Sequence, residues 1–191
     1  MKPISAISSK AQLHKSFKLI PYPASNIPAL EITGTVLRID NQIALRYFVR
    51  GDEVRKILFP DTSSFPARHD DLWQATCFEF FIAIEGQPQY WEFNMSPSRD
   101  WNVYAMDAYR QVNMREEFAF TQLPFEFRKT NADVLLDISL DLNPVVQSEN
   151  SLEIGVTTII QTNDGNETYW ALAHPGEQAD FHLRESFILE L

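Results

Sequence analysis

Between Tyr90 and Arg110 the chain reads YWEFNMSPSRDWNVYAMDAYR, six aromatic rings set among carboxylates, amides and arginines. A core accounts for the rings but not for the polar groups between them, because burying an unpartnered polar group costs about 1–3 kcal/mol. Flat rings beside fixed donors and acceptors are what a pocket for a small, partly apolar and partly polar ligand requires. A sugar is such a ligand: its C–H faces lie on a ring while its hydroxyls bond to Glu, Asn, Arg and His. All four tryptophans, Trp73, Trp91, Trp101 and Trp170, fall in three segments that also carry most of the histidines and amides.

Other chemistries are weighed against this one. Glu79 with Glu92 or Asp100 could form the two carboxylates of a glycoside hydrolase, which stand about 5–10 Å apart across a cleft. Nothing in the sequence marks either one as having a raised pKa. Ser96 and Ser98 with His174 could suggest a hydrolase triad, yet no Gly-x-Ser-x-Gly turn is present. His174, Asp180 and His182 share the segment HPGEQADFH without a tight zinc-ligand spacing, and are read as groups that fix a loop by hydrogen bonds. Strand carboxylates are commonly solvated or paired, and Arg68, Arg99 and Arg110 are at hand. The aromatic surface could instead be a subunit interface, where Trp, Tyr and Arg are enriched, so an oligomer stays open. Catalysis is the lesser reading, and no metal is expected.

Residues with this chemistry need elements to aim them, and the commonest pattern in the chain is alternation, the mark of half-buried strands. Ile43, Leu45, Tyr47 and Val49 share one face. So do Ala132, Val134, Leu136, Ile138, Leu140 and Leu142 opposite Asp133, Asp137 and Asp141, and Leu152, Ile154, Val156, Thr158 and Ile160 repeat the pattern. Phe187, Leu189 and Leu191 suggest a closing strand. In Cys77–Glu85, Phe78, Phe80, Ile82 and Ile84 take one face and leave Cys77, Glu79, Phe81 and Ala83 on the other. The next strand puts Trp91, Phe93 and Met95 opposite Tyr90, Glu92 and Asn94. A short Glu85–Pro88 connection makes these two a hairpin, so Glu79 and either Glu92 or Asn94 share one sheet surface. Trp101–Arg110 also fits a helical stripe and is read as a strand. Turn signals at RGDE, EGQP, LNP and NDGN separate the runs. The expected architecture is an all-β antiparallel sandwich of immunoglobulin-like or jelly-roll type, a single domain over residues 1–191, with the first twenty-odd residues wrapping a sheet edge.

Composition narrows the partners. A formal net charge of -10 opposes a phosphate backbone or an anionic membrane surface, so nucleic acid and membrane are not expected. One cysteine, Cys77, cannot form an internal disulfide and is read as a small buried thiol. The first residues lack the continuous apolar run of a signal peptide, which makes a cytoplasmic location the expectation.

The stretches ARHDDLWQATCFEFFI, YWEFNMSPSRDWNVYAMDAYR and TYWALAHPGEQADFHLRESFILEL, in this order and spacing, resemble the bacterial DOMON-like domain proteins, a group related to carbohydrate-binding module family 9. The likeness covers roughly Ala67 to Leu191. It implies a β-sandwich that binds sugars or haem without catalysis. Carried over by motif, the ligand-binding candidates are Trp73, Glu79, Asn94, Trp101, Trp170, His174, Asp180 and His182, to which the sequence reading adds Arg68. The resemblance implies that a pair of rings grips the sugar, Trp101 with Trp170 or Trp73 in this chain. The expected partner is a small molecule, and no cofactor is expected beyond the haem alternative. Haem would draw axial ligands from Met95, Met106, Met114, His174 and His182.

Overall fold

The computed structural model describes residues 12–109 and 114–191. Within them run strands β1 (Gln12–Pro21), β2 (Glu31–Ile39), β3 (Gln42–Arg50), β4 (Cys77–Ile84), β5 (Tyr90–Met95) and β6 (Trp101–Met106), then β7 (Arg115–Glu116), β8 (Phe125–Lys129), β9 (Asp133–Asp141), β10 (Leu152–Gln161), β11 (Glu167–Ala171) and β12 (Leu189–Glu190). All the strand pairings are antiparallel, in the order β7-β6-β5-β4-β10-β11-β1-β2-β3-β9-β8, with β12 added beside β10. The sheet curls on itself into two facing layers. Across the gap, the Tyr47 ring of β3 meets Phe78 of β4 edge-on at 5.1 Å between centroids, and the Tyr47 hydroxyl donates to the Glu79 carbonyl. This is the all-β sandwich that the alternation predicts.

The joint between the layers is β1. Gln12–Leu19 pair with β2, whereas Ile20 and Pro21 pair with β11. Phe17 and Leu19 point inward and are buried. The edge position expected for the N-terminal segment is, from Gln12 onward, that of a paired strand: among the described residues Gln12–Leu19 have β2 as their ladder partner, and Ile20 and Pro21 continue onto β11. Residues 1–11 lie outside the described residues.

Between the layers, β4 contributes Phe78, Phe80 and Ile82, β5 contributes Trp91, Phe93 and Met95, and β9 contributes Val134, Leu136, Ile138 and Leu140. Phe80 and Phe93, opposite each other in register, stack at 4.4 Å. Fully burying a side chain of this size stabilises by about 1.5–3 kcal/mol.

β4, β5 and β6 are also covered on their outer face, where Phe81, Ala83, Tyr90, Tyr104, Met106 and Ile159 meet Phe181 and Phe187 from the C-terminal segment. Gly155 makes this cover possible. A Cβ there would stand 2.7 Å from the Phe187 ring and 3.3 Å from Phe81 Cβ. Of the closing strand expected from Phe187, Leu189 and Glu190 pair with β10, and Leu191 exchanges both backbone hydrogen bonds with Leu152. Phe187 instead turns its ring onto Phe81 at 5.3 Å. The ambiguous Trp101 segment is a strand as far as Met106; Arg110 lies outside the described residues.

Candidate functional site

The outer face of β4, β5 and β10 holds a polar strip. In the β4–β5 register Glu79 faces Asn94 and Phe81 faces Glu92, while Glu79 faces Thr157 on β10. Because side chains alternate, Cys77, Glu79, Glu92, Asn94 and Thr157 all project to this one side. Asn94 Nδ2 donates to Glu92 Oε1 at 2.8 Å, and Thr157 Oγ1 donates to Glu79 Oε2 at 3.2 Å.

Over this strip lies a cavity of about 320 Å³, lined by Trp73, Glu79, Phe81, Glu92, Met114, Ile159, Tyr169, Ala179, Phe181 and His182. Its floor is acidic and its walls are aromatic. Trp73 stands on the short 3-10 turn Leu72–Gln74, which starts from Asp71 in left-handed backbone, and its indole rests edge-on against Tyr104. Tyr169 comes from β11, with its ring edge-on to Phe181. The Tyr169 hydroxyl donates to Glu167, and that bond together with burial pushes its pKa up to about 12. His182 stands over the floor, with Nδ1 3.0 Å from the Tyr90 hydroxyl and Nε2 3.9 Å from Glu92 Oε2.

Glu79 is only 2% exposed, and its Oε1 has no hydrogen-bond partner among the described residues. Burial, and next the charge of Glu92, raise its pKa well above the ordinary carboxylate range, so its neutral form is favoured. Burial first, and then the same two carboxyls, push the Cys77 thiol up, which favours its protonated form. Glu79 Oε1 is itself buried, so Glu79 meets the hollow with little of its surface.

The sequence-nominated residues separate into distinct groups. Trp73, Glu79 and His182 line the cavity, and Asn94 lies beneath it, fully buried and bonded to Glu92. Asp180 supports the rim: its carboxylate accepts from the Tyr109 hydroxyl at 2.7 Å and from the His182 amide at 3.0 Å. The indoles of Trp101 and Trp170 belong to the core between the layers, as Trp91 does, so neither reaches the cavity. Trp101 carries the Arg68 guanidinium on its ring at 4.4 Å. Arg68 donates to Asn102 Oδ1 and to the carbonyls of Val103, Glu117 and Phe120, which makes it a clamp on the β6 edge. His174 lies elsewhere: its Nε2 donates to the Ile20 carbonyl at 2.9 Å, and its ring meets Tyr22.

Alternative constellations are also resolved by position. Ser96, Ser98 and Asp100 bond to one another within a tight turn, remote from His174. Of the methionines and histidines considered for haem, Met95 is core and Met106 lies in the outer apolar cluster; Met114 and His182 line the cavity. Among the described residues no group of three or more His, Cys, Asp or Glu side chains could hold a metal ion. The sequence reading missed Phe81, Ile159, Tyr169, Ala179 and Phe181 as cavity residues. Phe81 could have been found, since it shares parity with Glu79.

No family model and no curated protein matches this chain. Among solved structures it is similar to a "putative carbohydrate-binding protein" from Bacteroides uniformis, with a TM-score of 0.64 and 15% identity over 90% of this chain and 83% of the other. At that identity the likeness concerns the fold.

Proposed function

We propose that this protein is a non-catalytic binding module for a small, carbohydrate-like ligand, held in the cavity above Glu79 and Glu92. The observation that carries the reading is a hollow of about 320 Å³ walled by the rings of Trp73, Tyr169 and Phe181, with Glu79 and Glu92 among its lining. Rings supply apolar contact with a sugar's C–H face, and the carboxyls and His182 supply directed bonds to hydroxyls. The likeness in fold to the Bacteroides uniformis protein supports a carbohydrate ligand. On this reading the chain is kin to the DOMON-like and family 9 modules that its three motif segments resemble.

Covering one indole removes about 150–250 Å² from water, a gain near a few kcal/mol at about 25 cal/mol per Å². With several hydrogen bonds, and after association costs, that gives millimolar to micromolar affinity. Titration calorimetry against mono- and disaccharides should give heat with at least one of them, and Trp73→Ala should lose it. Silence across the panel overturns the reading.

One observation favours a second reading: a carboxyl biased toward its neutral form beside another carboxyl is the pairing that glycoside hydrolysis uses. Turnover of nitrophenyl glycosides, abolished in Glu79→Gln, would replace binding with catalysis.

A further inference from the structure

We infer that the ligand of this cavity is longer than one sugar ring, and that a second hollow on the far side of Tyr169 takes the next ring of a di- or oligosaccharide. The inference rests on the cavity being the sugar site proposed above and specifies the length of chain that the site takes.

The strand order lays the two hollows side by side. On the outer face of the sheet, β4 and β10 bring Glu79, Phe81 and Ile159 to the first hollow, and β11, next in order, presents Tyr169 opposite Ile159. Beyond β11 comes β1, whose pairing runs on past Pro21: the Tyr22 amide donates to the Tyr169 carbonyl at 2.7 Å. Here a second hollow of about 300 Å³ opens, with Tyr22, Glu167, Tyr169, Glu177, Gln178 and Ala179 among its lining. Tyr169 and Ala179 line both hollows, so the two meet at these residues. Each hollow stands at the small end of ligand sites, which run from about 300 to 1,000 Å³, so each suits one ring and a chain of two needs both.

The second hollow repeats the chemistry of the first. Tyr22 and Tyr169 offer aromatic surface to a sugar's C–H face, and Glu167, Glu177 and Gln178 offer partners to its hydroxyls. Its walls are braced. The Tyr22 hydroxyl donates to the Glu177 carbonyl, and its ring meets His174 edge-on at 5.3 Å, which ties the rim to the end of β1. Glu167 accepts from the Tyr169 hydroxyl and from Gln161 Nε2 at 2.8 Å. The same Nε2 donates to the Gln74 carbonyl at 2.7 Å, at the end of the turn that carries Trp73. One hydrogen-bond chain thus joins the sill between the hollows to the Trp73 wall, and a ligand lying across Tyr169 meets surfaces already ordered. A second ring linked to a bound first one arrives without a second loss of translational freedom, so its contacts add directly to affinity.

The probes are glucose with maltose and cellobiose, and xylose with xylobiose, titrated calorimetrically into the whole protein. At least one disaccharide should bind about tenfold or more tighter than its own monosaccharide, and heat from a disaccharide whose monosaccharide gives none is the same result. Tyr22→Ala should bring the pair to within about twofold and leave the monosaccharide's affinity as it was. Because that variant also frees the Glu177 rim, Ala24→Leu is the second test: Ala24 is exposed and lines the second hollow, and the added apolar volume should take away the same gain. Trp73→Ala should instead weaken both sugars of the pair. Monosaccharides that bind as tightly as their disaccharides overturn the inference and leave the sugar site standing, and so does a gain that survives either folded variant. If none of the five sugars binds, both readings fall.

Discussion

Glu79 shows how a single side chain couples stability to function. In the unfolded chain it titrates as an ordinary carboxyl near 4.5, whereas in the fold burial and Glu92 raise its pKa. The folded state thus holds a proton that the unfolded state releases once pH passes the ordinary value. Its contribution is full at acid pH and is lost as pH climbs toward the raised pKa, with a slope of up to about 1.4 kcal/mol per pH unit. Glu79→Gln keeps the shape of the neutral carboxyl and cannot ionise. Its stability relative to the unmodified protein should therefore rise with pH above the ordinary carboxyl range, as denaturant melts at several pH values would show; a difference that stays flat removes the buried-proton account. His174 has the opposite sign. Burial lowers its pKa despite the bond to Ile20, so the stability it contributes is present above the ordinary histidine value near 6.5 and declines as pH falls below it. Replacing His174 with Gln should flatten that decline in melts taken across the same range.

At the level of elements, alternation made most strands and one face of the site legible. β5 reads cleanly, because Trp91, Phe93 and Met95 are apolar while Glu92 and Asn94 are not, and Glu79 opposite Asn94 follows from a short hairpin. β6 does not read cleanly. Each face of Trp101–Met106 carries large side chains, since Trp101, Val103 and Ala105 enter the core while Asn102, Tyr104 and Met106 are buried on the outer side. A strand covered on both faces has no polar parity to announce which way a tryptophan points. Phe181 and Ala179 were illegible for another reason, as they sit on an aperiodic segment whose path over the sheet depends on Phe187 crossing Gly155. A methyl group at that position collides with the Phe187 ring, so Gly155→Ala should cost about 1–3 kcal/mol and loosen the cavity wall. A lowered Tm with weaker ligand binding is the expected pair of results. Arg68 acts on the opposite flank. Arg68→Ala strands the carbonyls of Glu117 and Phe120 and should cost about 2–4 kcal/mol, which thermal denaturation would register whether or not ligand is present.

Across the whole molecule, the two outward-facing tasks are divided between two layers of aromatic side chains. Trp91, Trp101 and Trp170 are at most 6% exposed and belong to the core that joins the sheets, while Trp73 stands outside it at the cavity wall. The division follows from sheet geometry: a strand buried on both faces sends one set of side chains to the inter-sheet core and the alternate set to whatever covers its back. Ligand should therefore perturb one indole, and unfolding should perturb all four. In Trp73→Phe the fluorescence change on adding a bound sugar should vanish, while the emission shift on denaturation, carried by the three interior indoles, should persist at a nearly unchanged midpoint. A ligand-dependent signal that survives in Trp73→Phe would mean that the core itself responds to binding, and the separation between the stabilising layer and the binding layer would have to be abandoned.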